Sequence, residues 1–511
     1  MYYDSLFLTG IVKLVGFITG LWKHSTTHKI LQWLGRKLKL LFSSSSIFSF
    51  LGRDGRSMSV WKESWIYRLL DRLAAWPSAV LGGIFVRRRT QFEASIAYLL
   101  FKKITDNLHI CISLFLFVVL VVPHQYWNNL YSTAAMLVLL LLLVLKTVTD
   151  RKVKLYLKAF DLFLFLFLVS VVLAEIFSLY PGLSLRFLVF YLTCFLLVLL
   201  LASAINTPGQ LADVIEIILV GLTISGLYGI WQEIQGVPLD PSQVDLDMNE
   251  GMLGRIYSTL DNPNNYAEAL IMLLPFYGAV FFYSRGILKK LLFLALAVPS
   301  LAALLLTGSR SSWIGFAVVI LVFTFLKNKV IVPILILAGV LAFPFLPQSI
   351  SRRALTLLNP MADDSIVYRI NIYKTVWPLF KDYWITGLGL GHEVFMKLSR
   401  NLYQYTAQTP IHSHNVFLQV WIETGAVGAL AFIGYIVGMI KKAVKSIKRS
   451  KDAVVRNMLA AGTASIAGIL VVSLFEYVWF YQRVMLIFWA VAGLVAAALK
   501  LAHAEGAEDP G

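Results

Sequence analysis

The sequence is short of charge. Only 14% of its 511 residues are Asp, Glu, Lys or Arg, against about 25% in a typical soluble domain. It is also short of cysteine. The two present, Cys111 and Cys194, both sit inside apolar runs. That excludes a disulfide framework and a thiolate metal centre, and both read as small core residues. No internal repeat is visible, and no cleavable signal sequence is expected. The apolar stretch at 6–21 is interrupted by Lys13, follows Met-Tyr-Tyr-Asp and lacks a small-residue cleavage site.

What is abundant is apolar surface, at 58% of the chain. Runs such as LVLLLLLVL at 137–145 and LFLFLFLVSVVLA at 162–174 show neither a polar helical face nor strand alternation. Segments apolar all round, about 18–25 residues long, read as membrane helices, because lipid cannot satisfy a bare backbone. The fold class expected is therefore all-α: a polytopic membrane protein of about twelve transmembrane helices with one large outer loop. The expected spans are 110–124, 132–147, 159–176, 185–204, 211–231, 264–283, 289–306, 312–326, 329–346, 415–439, 457–475 and 483–501.

These spans divide the chain. Residues 1–108 form a basic cytoplasmic or interfacial region with 16 Lys and Arg. Within it, 61–75 (WKESWIYRLLDRLAA) fits a basic amphipathic helix on an anionic membrane surface. Residues 109–346 hold spans one to nine. Residues 347–413 form a large extracytoplasmic loop, 414–501 hold the last three spans, and 502–511 form a cytoplasmic tail. A net charge of +17 invites a nucleic-acid reading, but position argues against it. With the N-terminus inside, all but eleven of the 45 Lys and Arg fall on the inner side. The block KKAVKSIKRSKDAVVR at 441–456 is the densest. This is the positive-inside pattern.

Cations kept on the outer side work against that sorting. They are Arg186, Arg255, Arg310, Arg352, Arg353, Arg369, Lys374, Lys381, Lys397, Arg400 and Arg483. Arg310 is the sharpest case, set in the short connection Thr307-Gly308-Ser309-Arg310-Ser311 between two apolar spans. An ionisable group at the membrane boundary is a functional candidate by default. Arginine's planar fork of donors matches a diphosphate. A second constellation is Ile411-His412-Ser413-His414-Asn415, where the large loop enters a span. His414 can hold or take a proton near neutral pH, while Ser413 or Asn415 could cap the helix. The spacing resembles a metal site, but no third ligand stands nearby, so no metal is expected. Glu423 falls half a turn from His414 on a helix, so a dyad between those two is not expected. The glycines Gly425, Gly428, Gly434 and Gly438 suit close helix approach. A third constellation, DNPNNYAE at 261–268, marks a turn and a capped helix start.

Together these pieces resemble the O-antigen ligase and O-antigen polymerase superfamily of bacterial membrane glycosyltransferases. The matching segments are DNPNNYAEAL at 261–270, TGSRSSWIG at 307–315, Arg369 with WITGLGLGHEVF at 384–395, and HSHNVFLQVWIETGAVG at 412–428. The ligase signature is a His-Asn pair, nine residues, then Gly-x-x-Gly. Here it is His414-Asn415, then Gly425 and Gly428. Many ligases continue with two threonines, where this chain has Ala429 and Leu430. The resemblance covers roughly 110–500 and leaves the first 108 residues aside.

The resemblance implies a GT-C-like helical fold in the bacterial cytoplasmic (inner) membrane with its site facing outward. It implies an undecaprenyl-diphosphate-linked glycan as donor, a glycan or lipid-glycan acceptor, and membrane lipids as partners. Neither a cofactor nor nucleic acid is implied. Arg310 and His414 would carry the chemistry, the arginine on the diphosphate and the histidine on the acceptor hydroxyl. Arg255, Arg186, Arg369, Asn415 and His412 would bind substrate. The aromatics Tyr373, Trp377, Tyr383, Trp384, Tyr403 and Tyr405 would cover the sugars. Ligase and polymerase stand nearly even, with a protein O-oligosaccharyltransferase as a third variant. A flippase or transporter for lipid-linked glycans is the rival class. Transporters favour inverted repeats and mid-membrane charges, whereas here polar residues gather at outer span ends.

Overall fold

The computed structural model describes residues 56–150, 153–237, 254–342, 364–402 and 410–508, with a few isolated positions earlier. The acidic stretch around Asp240, Asp245, Asp247 and Glu250, the cations Arg352 and Arg353, and the aromatics Tyr403 and Tyr405 lie outside the described residues.

The described chain is helical. It opens with α1 (Arg56–Glu63), α2 (Trp65–Arg87), α3 (Arg89–Glu93), α4 (Ile96–Asp106) and α5 (Leu108–Val121). Next come α6 (Asn129–Thr149), α7 (Leu162–Ile176), α8 (Pro181–Ala204), α9 (Pro208–Gln235), α10 (Pro263–Leu273) and α11 (Pro275–Tyr283). Helices α12 (Ile287–Leu306), α13 (Arg310–Asn328) and α14 (Val332–Ala342) precede the large loop, which contains α15 (Asp364–Tyr383) and α16 (His392–Leu402). The chain closes with α17 (Val416–Arg449), α18 (Ala453–Val472) and α19 (Gln482–Glu508).

Local chemistry sets many of these boundaries. Asp161, Thr207, Asn262, Asn415 and Asp452 each accept a backbone N–H of the first turn of the following helix. Proline opens α8, α9, α10 and α11, where its missing N–H leaves no donor unsatisfied. Each of the twelve expected spans coincides with a helix or, at 264–283, with the α10–α11 pair. The count of membrane-crossing helices differs, however. Among the described residues ten helices are long and apolar enough to cross, or eleven if the pair α4–α5, bent by 68°, is one span. Helices α7 and α14 are shorter than a full crossing, and α2, expected to lie on the surface, is long and apolar enough to cross.

The core of the bundle is α19, which packs directly on α8 and α18, together with the α10–α11 pair against α18; most residues of these helices are buried. Small residues let backbones meet. Gly315 on α13 faces Gly468 on α18, and a Cβ at Gly315 would lie 3.2 Å from the Gly468 carbonyl oxygen. In lipid, where apolar faces gain little by leaving their solvent, such close backbone packing is what holds helices together. Arg483, at the start of α19, is fully buried. Its guanidinium donates to the carbonyls of Val119, Val122 and Thr259 and lies 5.0 Å from the Trp127 ring. This cation, expected on the outer side, is thus a clamp on the end of α5.

The described part of the large loop is mostly helical. Ile372, Val376 and Leu379 of α15 join Val394, Phe395 and Leu398 of α16 and Ile422 of α17 in a second apolar cluster. The two loop helices thereby cap one end of the bundle.

Gly468→Leu is expected to lower the melting temperature of the detergent-solubilised protein, by an overpacking cost of about 1–3 kcal/mol. Gly438→Leu, at a glycine with nothing within 4 Å, should leave melting nearly unchanged.

Candidate active site

The turn between α18 and α19 gathers the polar groups of that capped end. Its first three carbonyls accept in succession. The Ser473 oxygen takes the Val416 N–H at 2.9 Å, the Leu474 oxygen takes Asn415 Nδ2 at 3.1 Å, and the Phe475 oxygen takes Arg369 Nε at 2.9 Å. The next residue is Glu476, whose side chain is 11% exposed. One carboxylate oxygen binds Arg369 Nη2, and the other faces His414 Nδ1 at 3.3 Å. Burial pushes this carboxyl upward, but the hydrogen bond with His414 and the Arg369 guanidinium outweigh burial and hold it at about 2. Glu476 is therefore ionised at neutral pH, and it orients His414 through Nδ1.

His414 has φ +50°. A non-glycine residue rarely adopts the left-handed region, and such strain persists only when surroundings enforce it. Here they do. The buried Ser413 donates its N–H to Gln419 Oε1 at 2.9 Å, and Asn415 caps α17 through Leu418 N–H at 3.0 Å. The His414 N–H itself donates to His412 Nδ1 at 3.2 Å. His412 then stacks in a row of rings, 4.2 Å from His414 and 4.8 Å from Phe480, with His392 4.7 Å beyond Phe480. Burial, reinforced by the neighbouring His414, holds His412 down at about 3, and burial with Arg186 holds His392 at about 4. Both are neutral rings at pH 7. His412 is thus a positioning residue for His414.

Arg255 donates Nε to the Thr307 oxygen and Nη2 to Asn264 Oδ1, both at 2.7 Å. It braces the TGSRSS turn against the start of α10. The turn is tight, with Gly308 at φ +61°, and Arg310 opens α13 directly after it. Gly315 touches Val472, so Arg310, at the start of α13, and Glu476, in the turn after α18, lie towards the same end of the bundle. Glu268 of α10, fully buried, lies within electrostatic reach of Glu476. The structure thus brings His414, Asn415, His412 and Arg369 into one network, and at the same end it fastens Arg255 to the turn that precedes Arg310. Arg186 stands apart from both. It pairs with Glu393 of α16 and lies 4.9 Å over the Phe187 ring.

Sequence reasoning missed Glu476 as the partner of His414. The two are 62 residues apart, and no motif spacing links them. Among the described residues no group of three or more His, Cys, Asp or Glu could hold a metal ion. The signature glycines also have separate roles. Gly428 admits Ser170 of α7, as close helix approach requires. Gly425, at φ +72°, instead interrupts α17. The freed backbone groups are met by the segment before α16. Leu388 N–H donates to the Ile422 oxygen at 2.9 Å, Gly389 N–H to the Glu423 oxygen at 3.3 Å, and Ala426 N–H to the Ile385 oxygen at 3.3 Å. Glu423 bonds Gln419 at 2.9 Å and Tyr477 at 3.3 Å, not His414.

The pH response follows in sign. Glu476 folds with its carboxyl below the ordinary 4.5, so its contribution is full above that value and is lost as pH falls towards about 2. His392 and His412 fold below the ordinary 6.5, so the unfolded chain takes up their protons first, and stability erodes as pH falls below 6.5. The melting temperature should drop between pH 7 and pH 5. His392→Phe, which keeps a ring between Phe187 and Phe480, should blunt that drop by an amount worth about 1 kcal/mol after solvent screening. An unchanged pH slope in this variant would refute the assignment.

Comparison with known proteins agrees with this layout. The family model described as O-antigen ligase matches residues 292–433, from α12 through the break in α17. A protein of Rickettsia conorii provisionally named a polysaccharide ligase is 24% identical over 270 residues, covering 50% of this chain and 61% of the relative. A similarly named protein of Rickettsia felis is 23% identical over 244 residues, covering 46% and 56%. In both cases the match spans less than two thirds of the relative's length. With the His-Asn and Gly-x-x-Gly elements inside the matched region, these similarities support the O-antigen ligase and polymerase superfamily for this chain.

Proposed function

We propose that this protein is a membrane glycosyltransferase that moves a glycan from undecaprenyl diphosphate to a hydroxyl of a sugar or polymer acceptor. The observation that carries the reading is His414, strained and held by an ionised Glu476, at the bundle end that also bears Arg310 and Arg255. With Glu476 keeping the proton on Nδ1, Nε2 of His414 orients or deprotonates the acceptor hydroxyl. The acceptor oxygen forms a bond to the anomeric carbon as the bond to the diphosphate oxygen breaks. That electron pair leaves with the diphosphate, whose growing charge is met by Arg310, with Arg255 fixing the turn that carries it. The donor already carries a good leaving group, so neither nucleotide nor metal is required.

Support for the orientation comes from charge. The opposite end of the bundle carries Lys146, Lys158, Lys442, Lys448, Arg449 and Lys500, which suits the inner face of the cytoplasmic membrane. The His414 end would then face outward, where a translocated lipid-linked glycan arrives. Support for a polysaccharide acceptor comes from the ligase names of the two relatives.

The test is transfer by the purified protein from lipid-diphosphate-linked glycan to candidate acceptors, with chelator and without nucleotide. His414→Ala should reduce the rate by about 10²–10⁴-fold, and Arg310→Ala by about 10²–10³-fold. Undiminished transfer by both variants would refute the site, and strict metal dependence would refute the mechanism. Gene deletion separates the variants of the function: loss of a ligase leaves long lipid-linked polymer, and loss of a polymerase leaves single repeats.

A further inference from the structure

A cavity lies at the other end of the bundle, roughly 40 Å from His414 along α17. Its volume is about 110 Å³, enough for a phosphate-sized group and too small for a sugar chain. The start of α7, the C-terminal halves of α17 and α19, and α1 all contribute walls. Trp61 seats α1 on the bundle. It is 2% exposed and lies 4.5 Å from the Phe165 ring of α7.

The cavity is rich in donors. Lys62, Lys158, Lys442 and His503 line it, and Lys445 joins the first three within electrostatic reach of His503. Asp161 is the acid in the wall, and it is already engaged. It takes Lys442 Nζ at 2.7 Å and caps α7 through Leu164 N–H. One buried donor points to a missing occupant. Tyr435 is 3% exposed and lines the cavity, yet its hydroxyl has no hydrogen-bond partner among the described residues. A buried hydroxyl without a partner is destabilising unless something binds it. Lysine ammonium groups bind phosphate oxygens as point charges, and Met439, Leu499 and Ala496 give the cavity an apolar wall beside them.

We propose that this cavity binds a phosphate-bearing anion, through Lys62, Lys158 and His503 with the Tyr435 hydroxyl completing the set. Two sources share that chemistry: the headgroup of an anionic membrane lipid, with its chain along the apolar wall, and a free phosphate. Basic pockets between membrane helices on the basic side suit anionic headgroups. The site is independent of the transfer chemistry at His414.

The test follows thermal melting of the full chain in neutral-detergent micelles at constant ionic strength. Sodium phosphate, phosphatidylglycerol or phosphatidylcholine is titrated in. Either phosphate or phosphatidylglycerol should raise the midpoint by roughly 3–6 °C at saturation, and phosphatidylcholine should not. A response to phosphate identifies the free anion, and a response confined to phosphatidylglycerol identifies the lipid headgroup. The double variant Lys62→Gln with Lys158→Gln changes two exposed side chains, and Tyr435→Phe keeps the ring. Each should fold and require at least about tenfold more ligand for the same shift. No shift with either anion, an equal shift with phosphatidylcholine, or an undiminished response in both variants would overturn the proposal.

Discussion

The buried charge of Glu476 organises the capped end of this molecule. A carboxylate on a side chain 11% exposed is costly unless opposite charge and hydrogen bonds surround it. Arg369 and His414 supply both. To do so they must be delivered from three directions: the loop helix α15, the entry to α17, and the turn closing α18. The loop is therefore fastened to the bundle by the same interaction that orients the histidine. Removing the charge would loosen the cap and the His414 ring together, so the fold and the proposed chemistry are coupled at this one residue.

The interruption of α17 at Gly425 has the same logic. A broken helix leaves backbone groups that membrane surroundings cannot satisfy. Residues 385–389 satisfy them by hydrogen bonding to 422–426. The glycines of that segment are spaced so that one edge can press on neighbouring backbone and side chains. At Gly389, with φ +112°, a Cβ would strike Ser178. Leu388 and Leu390 alternate with them and are wholly buried. The segment that closes the broken helix leads straight into α16, so the break and the cap are again one device.

Both ends of the bundle are polar, but differently so. One end combines acids, histidines and arginines in paired networks, and the other concentrates lysines around a donor-rich cavity. Helix α17 runs between them. The proposed glycosyl transfer uses the first end. The asymmetry is the structural form of the lysine and arginine sorting visible along the chain.

Much of this was legible in the residues themselves. Apolar runs located the helices, because an all-apolar segment of that length has few other fates. Capping residues and prolines marked their starts, because those effects are local. The histidine pair before α17 and the arginine after Gly308 stood out, because polar groups at span ends are rare. The exact number of crossings was not legible, since α2 mixes basic residues with enough apolar length to cross and α7 stops short. Nor could spacing reveal that Glu476 orients His414, that Arg255 braces the turn bearing Arg310, or that Arg483 is a clamp. Hydrophobicity and capping act within a few residues and are written in the chain. The pairing of charges 62 or more residues apart depends on which helices pack together, and only the tertiary structure decides that.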